Sequence, residues 1–232
     1  MELSPKIIIT DFLRSRVTDP RGRNDNTNTE SFIASSGQTE FSLTAPSDSV
    51  DFVSKVEVNG TEIKKWRDYA YDYRLEKVIL FSASSDGDSV DITYNYGKSW
   101  IFDDKPYVSL SAESFPRVSV SVLSSPTTRL GNYEAPVESM VQMQIDIWVK
   151  EKQNGQVFEM DGKKWSGERL AELIGYSITN AFEEYEGDLF PVLYGYNASS
   201  YPVDLPYDED LQVHHKNLTV ELRGINIGRI EV

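Results

Sequence analysis

Few residues in this chain have the type and spacing for chemistry. Its two histidines, His214 and His215, are adjacent. Neighbouring side chains of a strand point to opposite faces, so the two cannot readily share one metal ion. Cysteine is absent, which removes disulfides, thiol catalysis and thiolate metal sites. Asp204, Asp208, Glu209 and Asp210 could offer carboxylate oxygens to Ca²⁺. Their neighbours Pro202, Pro206 and Tyr207 read instead as an exposed loop with solvated acids. Asp19 to Glu30 has the length of a Ca²⁺ loop and ends in glutamate, but Arg21 and Arg23 occupy the third and fifth positions, where ligands are required. The phosphate-loop, dinucleotide, nucleophile-elbow and zinc-helix patterns do not occur. A carboxylate pair for glycoside hydrolysis is a three-dimensional feature, and nothing singles one out. The reading expects no catalytic residue, no metal and no cofactor.

Tyrosines are abundant, at thirteen. Tyr69, Tyr71 and Tyr73 fall with Leu75 on one face at period two. They read as a sugar-stacking platform or as a tyrosine-lined core or interface. Three glycosylation triplets, beginning at Asn59, Asn197 and Asn217, are taken as chance, because Met1 to Lys6 lack the basic stretch and apolar core of a secretory signal.

The formal charge is −14, from 37 acidic and 23 basic residues. That is the wrong sign for phosphate binding, which depends on Lys and Arg. The densest basic cluster, Arg14 to Arg23, is interrupted by Asp19 and followed by Asp25. Tight DNA binding is not expected. The longest apolar runs, Ile7-Ile8-Ile9 and Val78-Ile79-Leu80-Phe81, fall far short of the roughly 18 residues that span a bilayer, so no membrane partner is expected.

The elements follow from periodicity. Ser4 and Pro5 suit the start of a helix over 5–17, with Ile8, Ile9, Phe12 and Leu13 at helical spacing. Residues 18–31 are polar and read as a linker. From Ser31 to Gly97 about five short strands are expected, with hairpin turns at Asn59-Gly60 and Asp86-Gly87, as a small β-sandwich or barrel. Val118, Val120 and Val122 alternate in a further strand, and a loop spans Ser124 to Pro136. Val141, Met143, Ile145, Ile147 and Val149 then alternate with Gln142, Gln144, Asp146 and Trp148. One helix is clear: Leu170, Leu173, Ile174, Ile178, Ala181 and Phe182 share a face, Ser166 can cap its start and Gly187 can end it. Two strands follow, Leu189 to Tyr196 and Leu218 to Leu222. The expected fold class is α+β: a mixed or antiparallel sheet with a packed amphipathic helix (residues 1–30 and 98–232), plus an inserted all-β unit (31–97).

The frame from Phe115-Pro116-Arg117-Val118-Ser119-Val120, through the Gln142–Val149 strand and the Gly167–Tyr185 helix to the closing Leu218–Leu222 strand, resembles the tail-terminator family of tailed viruses. The resemblance lies in pattern over residues 1–17 and 100–232, and the 31–97 insertion departs from the minimal family. It implies a structural virion protein, not an enzyme, assembled in the host cytoplasm. Copies would form a ring, a hexamer, that ends the tail tube and joins it to the neck. Its partners would be itself, the tail tube protein and the connector, with DNA passing but not tightly held. A head-completion stopper or adaptor, a minor tail protein and, more distantly, a carbohydrate-binding β-sandwich are the alternatives. The candidate contact residues are Trp148, Gln142 and Gln144 on the polar face of the long strand, with Trp100 and Phe102. Trp148 faces either a neighbouring copy or the chain's own insertion or Trp100–Phe102 segment.

Overall fold

The computed structural model describes residues 4–103, 115–124, 127–129, 137–151, 158–160, 162–184, 189, 195–198, 202–205 and 212–225. The first element is α1 (Pro5–Arg16), the helix expected from the sequence. Ser4 caps it by accepting a hydrogen bond from the Ile7 amide at 3.4 Å. Arg14 and Arg16 in its last turn complement the helix dipole.

Seven strands follow: β1 (Asn26–Ile33), β2 (Glu40–Ser42), β3 (Ser49–Val58), β4 (Thr61–Ile63), β5 (Tyr69–Asp72), β6 (Lys77–Leu80) and β7 (Ser89–Gly97). They form a four-stranded sheet, β1-β7-β3-β4, and a three-stranded sheet, β2-β6-β5. Phe41, Val53, Tyr71, Val78, Ile92 and Tyr94 belong to one buried cluster that joins the two sheets. Asn59-Gly60 makes the β3–β4 hairpin turn, as its sequence requires. The polar run read as a linker is partly strand, because β1 begins at Asn26. It is an edge strand whose outward side chains face water, so its Asn/Thr-rich composition conceals it.

The rest of the chain builds β8 (Ile101–Phe102), β9 (Arg117–Ser124), β10 (Thr127–Arg129), β11 (Val137–Lys150), β12 (Phe158–Met160), β13 (Lys163–Trp165), α2 (Gly167–Glu184), β14 (Gly195–Ala198), β15 (Val203–Asp204) and β16 (Val213–Ile225). The main sheet runs β14-β16-β11-β9-β8, with β10 on β11 and β15 on β16. Its described pairs are antiparallel except β8 with β9. The fold is therefore α+β, with two helices and mostly antiparallel sheets.

Val141, Met143, Ile145, Ile147 and Val149 are fully buried in one cluster with Leu170, Ile174, Ile178 and Phe182 of α2, as the alternation predicts. Each such side chain contributes roughly 1.5–3 kcal/mol on burial. From α1, Ile8, Phe12 and Leu13 complete the cluster, with Phe12 against Phe182 at 5.4 Å between ring centroids. Leu173 is only half-buried, at the margin of the stripe. Val122, expected to continue the buried row of β9, is 40% exposed. A bulge between Gln142 and Met143 shifts the β9–β11 register there. The expected helix end at Gly187, the acids at 208–210, most of the 124–136 loop and residues 190–194 of the expected 189–196 strand lie outside the described residues; Leu189, expected to open that strand, is helical and buried, and the strand observed there is β14 from Gly195.

Residues 26–97 meet the main body in several places, two of which are built from buried groups. At the first, β5 lies between the two cores: Tyr69 and Tyr71 face the inserted one, while Ala70 and the preceding Trp66 face the main one. Tyr69 and Tyr71 are 2% and 0% exposed, so they form no sugar platform; burial pushes both phenols above their ordinary range. Leu75 lies beyond the end of β5 and is exposed.

The second joint is where the chain enters and leaves the unit. The Lys98 amide donates to the Arg23 carbonyl, tying the two passages together. Asp19 accepts from the amides of Arg21 and Arg23 and from the Arg23 guanidinium. Buried Asp51 accepts from Asn24 Nδ2 at 2.6 Å and from Ser99 Oγ, and lies 3.5 Å from Arg14 of α1. A second buried carboxylate, Asp11, meets Lys65 at 2.8 Å.

Candidate interaction face of the main sheet

The alternation that sends the apolar residues of β11 toward α2 sends Gln142, Gln144, Asp146 and Trp148 to the opposite face. Pairing extends this face across three strands. Trp148 is flanked in register by Arg117 of β9 and His215 of β16; Asp146 is flanked by Ser119 and Asn217; Gln144 by Ser121 and Thr219.

The centre of the face is Asp146, fully buried. Gln144 donates to both of its oxygens at 2.8 and 2.9 Å, and Asn217 donates at 3.2 Å. His215 Nε2 lies 2.9 Å from Asp146 Oδ1, and with a carboxylate as partner that nitrogen carries the proton. Burial raises the Asp146 carboxyl. The hydrogen bonds from His215, Gln144 and Asn217 outweigh it and hold the group below its ordinary value.

The sign of the resulting pH dependence follows. A carboxyl whose folded-state value is depressed adds stability above its unfolded value, and that stability is lost as pH falls through the folded value. Asp146→Asn is expected to flatten the acid limb of the stability profile below about pH 4 relative to wild type. Urea titrations at stepped pH read this directly, and parallel limbs would contradict it. Asp11 acts in the opposite sense. Burial raises its carboxyl more than Lys65 and Arg14 lower it, so its unfavourable contribution develops as pH rises.

Trp148 is half-buried and lies flat on His215, with 4.6 Å between ring centroids and 17° between planes. Arg117, the next residue across, is buried with its guanidinium 3.7 Å from the centre of the Phe102 ring. Phe102, Arg117, Trp148 and His215 thus run along one end of the face. Trp148, Gln142, Gln144 and Phe102 all lie on it. Trp100 does not: it precedes β8, is 0% exposed and lies with its neighbour Ile101 in the main apolar core. Among the described residues, the ring stacked on Trp148 is that of His215.

The two histidines take opposite faces, as strand geometry demands, but both are half-buried. His214 lies on the α2 side with Nε2 2.6 Å from Glu151 Oε2. The adjacency of the pair was the one available signal that a histidine must share the Trp148 face; which of the two was set by a register the sequence does not display. Among the described residues, no group of three or more His, Asp or Glu is placed to hold a metal ion. No described helix is long and apolar enough to cross a membrane. Asp146 and His215 resemble half of a nucleophile-activating set, but Ser119, the hydroxyl in register with Asp146, is fully buried.

No family model, no curated protein and no solved structure matches this chain.

Proposed function

We propose that this chain is a structural subunit of a tailed virus, forming a six-membered ring at the tail–neck junction that ends the tail tube and joins it to the connector. In this reading the chain is not an enzyme, its partners are its own copies and the adjoining tail and neck proteins, and DNA passes without being tightly held. The observation that carries the reading is the division of labour in the main sheet. One face is closed by α2, while the other carries Trp148, half-buried and stacked on His215. Trp is enriched among the residues that dominate protein interfaces.

Exposed apolar residues add support: Val122 and Leu123, near the end of β9, are 40% and 52% exposed.

Trp148→Ala is expected to cost about 2 kcal/mol per interface. Among the described residues its stacking partner is the half-buried His215 ring, so the thermal transition of the isolated chain should move little. Light scattering across concentration and the length of tails in a complementation assay measure the two effects. Virions with correct tails carrying the variant would remove Trp148 from the interface. Normal virions lacking the protein would end the ring reading.

A further inference from the structure

The four-stranded sheet of the inserted unit has two edges, and they are built differently. At one, β4 is three residues long and is followed at once by Lys64 and Lys65, a short strand guarded by charge. At the other, β1 has eight residues and contains no Lys, Arg or Pro. It follows β7 in unbroken register, from Asn26 opposite Tyr96 to Ile33 opposite Ser89. Bulges twist an edge away from a partner; they interrupt β3 against β7 but not β1 against β7. At the end of β1, Ile33 is 75% exposed.

The main-chain groups that β1 leaves open can be named, because hydrogen-bonding residues alternate along an antiparallel strand. The Ala34 amide donates to the Asp88 carbonyl at 2.8 Å, so Ala34 turns its main chain toward β7, as do Phe32, Glu30 and Asn28. The other side of β7 agrees. The Asn59 amide donates to the Ser89 carbonyl at 2.9 Å, so Ser89 faces β3, and Val90, opposite Phe32, faces β1. Thr27, Thr29, Ser31 and Ile33 therefore turn their amides and carbonyls to the open edge. Among the described residues nothing bonds them there. The same four residues carry exposed side chains.

We propose that this edge pairs with β1 of a second copy of the chain, antiparallel about a two-fold axis at Thr29. Such a contact is isologous, the same strand serving both sides. Only residues with outward main-chain groups can exchange hydrogen bonds, so odd-numbered residues must stand opposite odd-numbered ones. Two registers then pair nearly the whole strand. One centres on Thr29 and sets Thr27 against Ser31. The other centres on Glu30 and sets Thr29 against Ser31. Glu30 is the one charge of the strand, and its Oε1 accepts from the Thr44 amide at 2.8 Å and the Tyr94 hydroxyl at 2.6 Å. Fixed in that way it cannot swing aside, and the second register would put two carboxylates directly opposite each other, which is destabilising. The first puts each Glu30 opposite Asn28 and the two Thr29 side chains against one another, a favourable cross-strand pair. The result is one continuous sheet through both copies. This contact uses β1 and not the main sheet, and it is closed by its own symmetry, so it does not rest on the ring reading.

The chain contains no cysteine, so single cysteines report the contact without background. Opposite residues of a hydrogen-bonded pair have Cα atoms about 5.5 Å apart, within disulfide range. Under mild oxidation Thr29→Cys should form a covalent dimer at least about tenfold faster than Thr27→Cys or Ser31→Cys alone. An equal mixture of Thr27→Cys and Ser31→Cys should give the mixed dimer at the fast rate. In sedimentation velocity Thr29→Lys should weaken the dimer at least about tenfold, since charge on an edge opposes pairing. Ser54→Lys puts the same charge on an exposed residue two strands away and should leave association unchanged. Wild-type melting curves for both lysine variants show that the fold is kept. A wild type monomeric to its solubility limit, equal cross-linking at all three cysteine positions, fastest cross-linking of Thr29→Cys with Ser31→Cys, or a dimer indifferent to Thr29→Lys overturns the proposal. Trp148→Ala should leave the Thr29→Cys cross-link intact, so failure of the ring and failure of the edge contact are told apart.

Discussion

Asp51→Ala is expected to destabilise the protein by about 3–5 kcal/mol, the range for removing one partner of a buried ion pair. Asp51 and Arg14 are 0% and 6% exposed. The truncation leaves the Arg14 guanidinium in the interior without its nearest carboxylate, held by the Ile101 and Asp51 carbonyls and the face of Tyr73, 4.2 Å from its ring centre. It also removes the acceptor shared by Asn24 and Ser99, which hold the two passages between the units. For a chain of this size 1 kcal/mol corresponds to about 2–4 °C in Tm, so calorimetry should show a fall on the order of 10 °C. Asp51→Asn keeps hydrogen-bonding capacity while losing the charge and should fall between the two. A loss below about 1 kcal/mol for Asp51→Ala would mean that water reaches Arg14.

Gly97→Ala is the second large effect expected. Gly97 has φ 141°, which L residues rarely adopt, and a Cβ there would sit 2.0 Å from the Arg23 carbonyl oxygen. Because the obstacle is backbone, no rotamer change relieves it. Strain and forced separation together are expected to cost at least about 3 kcal/mol. The displacement would also break the Lys98–Arg23 hydrogen bond. Hydrogen exchange should therefore report faster opening at residues 19–26 and 95–101 than in the centre of β11. Uniform destabilisation without that local signature would argue that the crossing is not where the strain is released.

The sequence was most legible where burial is one-sided. β11 alternates because one face meets α2 and the other does not, and α2 shows its stripe for the same reason. Asn59-Gly60 announces its turn through local backbone chemistry. The buried ion pairs could not be read this way. Arg14 with Asp51 and Asp11 with Lys65 join residues 37 and 54 positions apart, and nothing local marks either end. β1 was obscured because an edge strand with water on one side needs few apolar residues. Trp100 was misplaced because a lone tryptophan beside a two-residue strand carries no periodicity to show its side. On the candidate face, Trp148, Gln142 and Gln144 were legible from alternation. His215, Asn217 and Arg117 joined them only through strand register, which is a property of pairs and not of either sequence alone.

The pairing of β1 with β7 also bears on how the chain folds. Asn26 stands opposite Tyr96, so the ends of the inserted unit are one strand spacing apart. Unfolded, those roughly 70 residues form a floppy loop between α1 and the sheet it must dock on. Closing such a loop costs on the order of 4 kcal/mol in chain entropy. Once the unit has folded, its own strand pairing holds the ends together, and α1 lies within a short tether of β8 and β9. The insertion then acts as a splint, converting a distant docking step into a local one. The expected order is inserted unit first, α1 onto the main sheet second. Substitutions such as Ile92→Val in the inserted core should slow formation of the whole molecule, while Ile174→Val in the main core should chiefly speed its unfolding.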